Sequence, residues 1–226
     1  MPNGTSNYYW KVIGIAGALA GLAAWPGTGQ AQLDPGGILP PPPISLPPIS
    51  PPPISPAPTT VSSPASAVTA VVYGTVTSLA DAGTLVDAAD PVGTGQPLAS
   101  IPGLLSAEAL QAAAMMWTDQ VASDASLGSL FMTVGGTTVW ADFIESRALA
   151  VSGAVPTGLS SIEGLTIGGV SISPSGLPNE TISLAGLSVI LNEQIQSASG
   201  IVVNALHVRT PDGLIDVVLA SARAGI

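Results

Sequence analysis

The sequence predicts a mainly β protein, an antiparallel β-sandwich or small barrel with at most one short helix, preceded by a signal peptide and a polyproline linker. Three observations carry that expectation. Of the 226 residues, 46% are hydrophobic and only 8% charged, with 26 Gly and 22 Pro. Such a chain is too apolar to be disordered and too rich in helix breakers to be mostly helical. In the last third, apolar and polar residues alternate with the period of a strand. Between the alternating runs stand turn formers, notably Gly135-Gly136, Gly168-Gly169, Ala185-Gly186 and Pro211-Asp212-Gly213.

The elements follow in chain order. Residues 1–11 are polar with one positive side chain, residues 12–25 are an apolar run, and Gly29-Gln30-Ala31 offers small residues for cleavage. This is the pattern of a signal peptide over 1–31. The apolar run falls short of the roughly 20 residues that span a bilayer, so no membrane association is expected after cleavage. Residues 32–66 form a linker in which the unit Pro-Pro-Ile-Ser recurs at 42–45, 47–50 and 52–55. Proline fixes φ and removes the amide donor, so the tract is expected as an extended, semi-rigid polyproline stalk.

The globular part is expected over 67–226. Residues 68–77 are rich in β-branched side chains and read as a first strand, with Val68, Val71, Tyr73 and Val76 as candidates for adding to a neighbour's open sheet edge. Residues 81–102 read as loop with one short strand. Residues 106–116 have helix propensity, with Ser106 as N-cap, and are expected as the single short helix. Met115, Met116 and Trp117 read as core packing. Gly135-Gly136 should turn a hairpin between 130–134 and 138–144, and three more hairpins should follow around 168–169, 185–186 and 211–213.

A net charge of −10 with only four basic residues argues against nucleic acid and anionic membranes as partners. The absence of cysteine excludes disulfides, thiolate metal sites and a cysteine nucleophile. His207 is the sole histidine; it lies in an expected strand without a nucleophile motif and reads as a structural or surface residue. Carboxylates fall near one another in sequence at Asp87/Asp90, Asp119/Asp124 and Asp142/Glu145, and Asp81, Asp87 and Asp90 could offer hard oxygens to calcium. None has a diagnostic spacing, and no catalytic residue, metal or cofactor is expected. Asn192, Glu193 and Gln194 form the most suggestive polar cluster, either satisfying backbone groups of a turn or touching a ligand.

The runs Gly158-Leu159-Ser160-Ser161-Ile162-Glu163-Gly164-Leu165-Thr166-Ile167-Gly168-Gly169, Pro178-Asn179-Glu180-Thr181-Ile182, Leu191-Asn192-Glu193-Gln194, Val203-Asn204-Ala205-Leu206-His207-Val208 and Asp216-Val217-Val218-Leu219-Ala220-Ser221-Ala222 resemble, in order and spacing, the bacterial choice-of-anchor P family. The resemblance implies an exported domain without enzymatic activity. No sorting tail is read at the C-terminus, so a released or non-covalently held product is expected. The function expected is a secreted or cell-surface structural and adhesive module, self-assembly into extracellular filaments being its specific version. Its partners would be itself or other envelope components. A glycan- or cell-wall-binding or hydrolytic domain, with a site at Asp142, Glu145 or the Asn192–Gln194 cluster, is the alternative.

Overall fold

The computed structural model describes residues 61–62, 64–86, 91–197 and 200–226. The expected signal peptide, nearly all of the proline tract, and Asp87 and Asp90 lie outside them. The described residues hold strands and no helix. In chain order these are β1 (Val61–Ser62), β2 (Ala65–Val72), β3 (Thr75–Asp81), β4 (Thr84–Leu85), β5 (Val92–Ile101), β6 (Leu105–Met116), β7 (Gln120–Val134) and β8 (Thr137–Val151). Then come β9 (Thr157–Glu163), β10 (Thr166–Ile167), β11 (Val170–Ser171), β12 (Glu180–Leu184), β13 (Leu187–Ser197), β14 (Gly200–Arg209) and β15 (Ile215–Gly225).

Two antiparallel sheets pack face to face as a β-sandwich. One is six-stranded, in the order β12-β13-β14-β15-β2-β3; the other is seven-stranded, β11-β10-β8-β7-β6-β5, with β9 pairing the far half of β8. β1 and β4 form a separate short pair. The facing sides bury one apolar core that includes Val68, Leu110, Leu127, Leu130, Met132, Ile144, Val189, Leu206 and Leu219. A second cluster around Leu85, Met116, Val121, Ile201 and Val203 closes one end.

The expected hairpins form. Gly135 and Gly136 turn β7 into β8 with φ of 57° and 77°, and Gly168 and Gly169 turn β10 into β11 with 57° and 81°, the doubly positive pair that matches strand twist. Three expectations are corrected. Residues 106–116 are strand β6, paired with β5 and β7, because Ala107, Leu110, Ala112, Ala114 and Met116 are buried against the opposite sheet; burial on a pleated surface outweighs intrinsic propensity. Met115 consequently faces out. Within residues 81–102, besides the short β4 at Thr84–Leu85, the ten-residue β5 stands where loop was expected. Residues 68–77 are not one strand but a hairpin, turned at Tyr73 (φ 48°) and Gly74 (φ 80°). Val68 and Val71 therefore lie in β2, between β15 and β3, while exposed Tyr73 is in the turn and exposed Val76 is in β3.

One feature organises both sheets. Side chains alternate between the faces of a strand, yet in each long strand here the alternation slips by one residue, always in the same transverse line. In the six-stranded sheet the slip makes two consecutive residues inward: Leu191-Asn192, Ala205-Leu206, Leu219-Ala220 and Ala67-Val68 are all buried. The pairing ladders step over these positions, running from Leu191↔Leu206 to Glu193↔Asn204 and from Leu206↔Leu219 to Asn204↔Ser221. Asn192, Ala220 and Ala80 take left-handed φ of 50°, 49° and 51°, and that reversal turns the following side chain to the other face. In the seven-stranded sheet the slip is outward, at Pro97-Leu98, Glu108-Ala109, Gly128-Ser129 and Asp142-Phe143, with left-handed Ala109, Ser129 and Gly164 along it.

The two sheets thus crease in parallel, one nesting into the other, and the crease of the six-stranded sheet is lined by buried Ala67, Ala80, Ala205 and Ala220. A left-handed alanine costs about 1–2 kcal/mol relative to an ordinary conformation. Ala67→Gly, at an ordinary strand conformation, loses a buried methyl and adds backbone entropy, together about 1–2 kcal/mol. At Ala220 the same loss is offset by relief of the left-handed strain, so Ala220→Gly should leave stability nearly unchanged. Urea unfolding should separate the two variants by at least about 1 kcal/mol.

Candidate functional site

The crease determines what faces outward from the six-stranded sheet. Because Ala205 and Leu206 both point inward, Asn204 and His207 both point outward and converge across the fold line on Glu193 of β13. Asn204 Nδ2 donates to Glu193 Oε2 at 2.7 Å, and His207 Nδ1 lies 2.9 Å from the same oxygen. On the other side His207 Nε2 lies 3.0 Å from Asp216 Oδ1 of β15, and Ser221 Oγ donates to Asn204 Oδ1 at 2.7 Å. Although they are on the outer face, Asn204 and His207 are only 6% and 9% exposed, as the inside of a bend requires.

Both ring nitrogens of His207 face carboxylates, an arrangement fully satisfied only by the imidazolium, which donates from both. The hydrogen bond to Glu193 raises the His207 pKa above its ordinary value, against the opposing effect of burial. The same hydrogen bond, helped by Asn204, lowers that of Glu193. A catalytic base needs a free lone pair aimed at a nucleophile; here both nitrogens are engaged and Ser221 is bonded elsewhere. Chemically, the cluster is a charged clamp across β13, β14 and β15. Among the described residues no group of three or more His, Asp or Glu side chains is arranged to hold a metal ion.

The structure divides the Asn192, Glu193 and Gln194 cluster. Glu193 belongs to the clamp, whereas Asn192 Nδ2 donates to Gly176 O at 3.0 Å and Gln194 Nε2 donates to Gly158 O at 3.1 Å and to Asn192 Oδ1 at 3.0 Å. The Gln194 amide N–H is received by Asn179 Oδ1 at 2.9 Å. These two side chains tie a loop and β9 to β13 by satisfying backbone groups, one of the two roles expected. Asp142 and Glu145 lie on the outer face of the other sheet without forming a pair. Arg147 bridges Asp124 at 3.0 Å and Glu145 at 2.5 Å, and burial, then the nearby Glu145 charge, raises the Asp124 pKa. Asp81 Oδ1 accepts from the Gly83 amide at 2.7 Å.

That second outer face carries what residue-by-residue reasoning missed. The register places Ser100 opposite Ser106, Ser106 opposite Phe131, Phe131 opposite Trp140, Trp140 opposite Thr166, and Thr166 opposite Ser171. Two aromatic rings, 51% and 42% exposed, thus stand side by side in a row otherwise made of hydroxyls. At about 4.8 Å per strand the row runs roughly 24 Å across the sheet. A signal was present: a tight turn at Gly135-Gly136 by itself sets Phe131 against Trp140.

Fold and surface together define a creased β-sandwich with an internal charged clamp on one outer face and an aromatic, hydroxyl-flanked row on the other. No family model matches the chain, and no curated protein or solved structure matches it.

The clamp should make stability depend on pH in a defined way. His207 holds its proton more firmly folded than unfolded, so its contribution is complete below about 6.5 and is lost as pH rises through its raised value. Glu193 contributes above about 4.5 and loses its contribution as pH falls through its lowered value. Stability should peak between these limits, and in His207→Gln the alkaline decline above about pH 6.5 should flatten, read as urea midpoints across a pH series. At Gly158 a Cβ would collide with Val203 Cγ2 and stand 3.1 Å from Ile201 Cδ1. Gly158→Ala should therefore cost about 1–3 kcal/mol in the same assay.

Proposed function

We propose that this chain is a non-enzymatic, exported structural and adhesive module, secreted or held at the cell surface and projected by its proline-rich tract. The observation that carries the reading is the Phe131–Trp140 pair, half-exposed at the centre of a rigid row on two 15-residue strands. Aromatic residues concentrate where surfaces associate, because large rigid rings desolvate at little cost in conformational entropy. The row itself is uncharged in a protein of net charge −10, which suits an apolar or neutral partner rather than a polyanion. The signal-like segment and the resemblance to exported choice-of-anchor domains support an extracellular location, with envelope components or further copies of the chain as partners.

A second reading, a neutral-glycan-binding module, is favoured by the hydroxyls of Ser106 and Thr166 flanking the rings. Flat aromatic faces accept the C–H faces of sugar rings while hydroxyls hydrogen-bond the rim. Retention of the protein on abiotic hydrophobic surfaces, on envelope fractions and on neutral polysaccharides separates the readings. Under the adhesive reading, Trp140→Ala and Phe131→Ala each lower retention on the first two by at least roughly tenfold while shifting stability by less than about 1 kcal/mol. Retention confined to polysaccharide would move the assignment to the glycan reading. A product found in the cytosol with its first thirty-one residues intact would sink both.

A further inference from the structure

Natural sheets guard their edges, since an open edge offers unpaired N–H and C=O groups to any extended chain. Most of the free edges here are guarded. β5 carries Pro97 near its middle, β12 is five residues long and β11 two, and along β9 the Gly158 carbonyl is taken by Gln194. β3 is different. It ends the six-stranded sheet, pairing only with β2 among the described strands, and residues 75–79 read Thr-Val-Thr-Ser-Leu, without charge, proline or glycine.

The backbone direction along this edge follows from the turn. Tyr73 and Gly74 form a two-residue loop with both φ positive, which makes Val72 and Thr75 a hydrogen-bonded pair. Alternation then aims the peptide groups of Thr75, Thr77 and Leu79 at β2 and leaves those of Val76 and Ser78 facing away from the sheet. Beyond them the left-handed Ala80, φ 51°, bends the strand off this line, so the straight and open stretch is residues 75–79.

We propose that β3 is a self-association edge, pairing antiparallel with β3 of a second copy to join two six-stranded sheets across a two-fold axis at Thr77. This goes beyond the adhesive reading and uses a different surface. In that register Val76 of each copy lies opposite Ser78 of the other, and each pair exchanges two backbone hydrogen bonds. Thr77 faces its own copy at the non-hydrogen-bonded centre. A second copy is the occupant that the edge fits. The stretch is identical and uncharged on both sides, and antiparallel pairing sends the two Asp81 carboxylates to opposite ends, so no like charges meet. The contact is short, which makes the dimer concentration-dependent, and each copy carries net −10, so added salt should strengthen it by screening.

Full-length protein examined by sedimentation velocity across a concentration series should show a monomer–dimer equilibrium shifted toward dimer by salt. Val76→Pro removes an outward donor without touching the ladder to β2, and because the lesion occurs twice in the dimer it should raise the dissociation constant at least roughly tenfold. Circular dichroism and thermal unfolding verify that the variant folds. A second measurement does not depend on that proline. The chain has no cysteine, so Thr77→Cys, at a non-hydrogen-bonded antiparallel position with Cα atoms about 4.5 Å apart, should oxidise to a covalent dimer. Ser188→Cys, elsewhere on the same sheet, should not. A wild type monomeric at its highest soluble concentration, a dimer unaffected by Val76→Pro, or equal cross-linking at both cysteine positions would each overturn the proposal.

Discussion

The fold depends on a single geometric constraint: the line along which every long strand reverses the sense of its alternation. A sandwich core needs apolar side chains on one face of each strand from end to end. Here the inward set changes parity midway, from Ala65 and Ala67 to Val68 and Ala70 in β2, and from Val217 and Leu219 to Ala220 and Ala222 in β15. One slipped strand would turn half of its apolar residues to solvent unless its neighbours slipped with it. The slip is therefore collective. Left-handed Ala80, Ala220 and Asn192 fall on alternate strands of one sheet and Ala109 and Ser129 on adjacent strands of the other, and the small side chains at the crease let the nested sheets remain in contact.

The two outer faces inherit their character from the bend. Inside it, polar side chains crowd together and satisfy one another, which is why Glu193, Asn204, His207, Asp216 and Ser221 form a continuous hydrogen-bonded set. Outside it, side chains splay, and Phe131, Trp140 and Leu98 remain accessible. One face therefore supplies cohesion while the other supplies contact area. The Ser123 hydroxyl, donating to the Arg223 carbonyl at 2.8 Å, ties the sheets at one end.

Much of the architecture was legible in turn chemistry. Each C-terminal hairpin followed from a Gly-containing pair or triplet between alternating runs, and those turns set registers residue by residue. Legibility failed where local pattern and tertiary demand diverged. The Ala-rich residues 106–116 satisfy a helix by propensity, but their burial alternates with period two on either side of Ala109, and the left-handed residue breaks that period just enough to hide it. The clamp was unreadable for a related reason. Bringing Glu193 and Asp216 to the two nitrogens of His207 requires the pairing of three strands and the slip at Ala205-Leu206 together, and no single strand's pattern contains either. Phe131 and Trp140, which need only one turn, could have been paired from the sequence.

The position of β15 has a kinetic corollary. It lies in the middle of the six-stranded sheet, joining β14 on one side to β2 on the other, so the first hairpin has no place in that sheet until the last strand has been made. Contacts so distant along the chain are slow to form because loop closure must precede any reward. A polypeptide emerging from the ribosome can pair β2 with β3 but cannot seat that hairpin in the six-stranded sheet until β15 has followed. Under the exported reading proposed above, such postponed assembly is an asset, since a narrow translocation channel passes an unfolded chain.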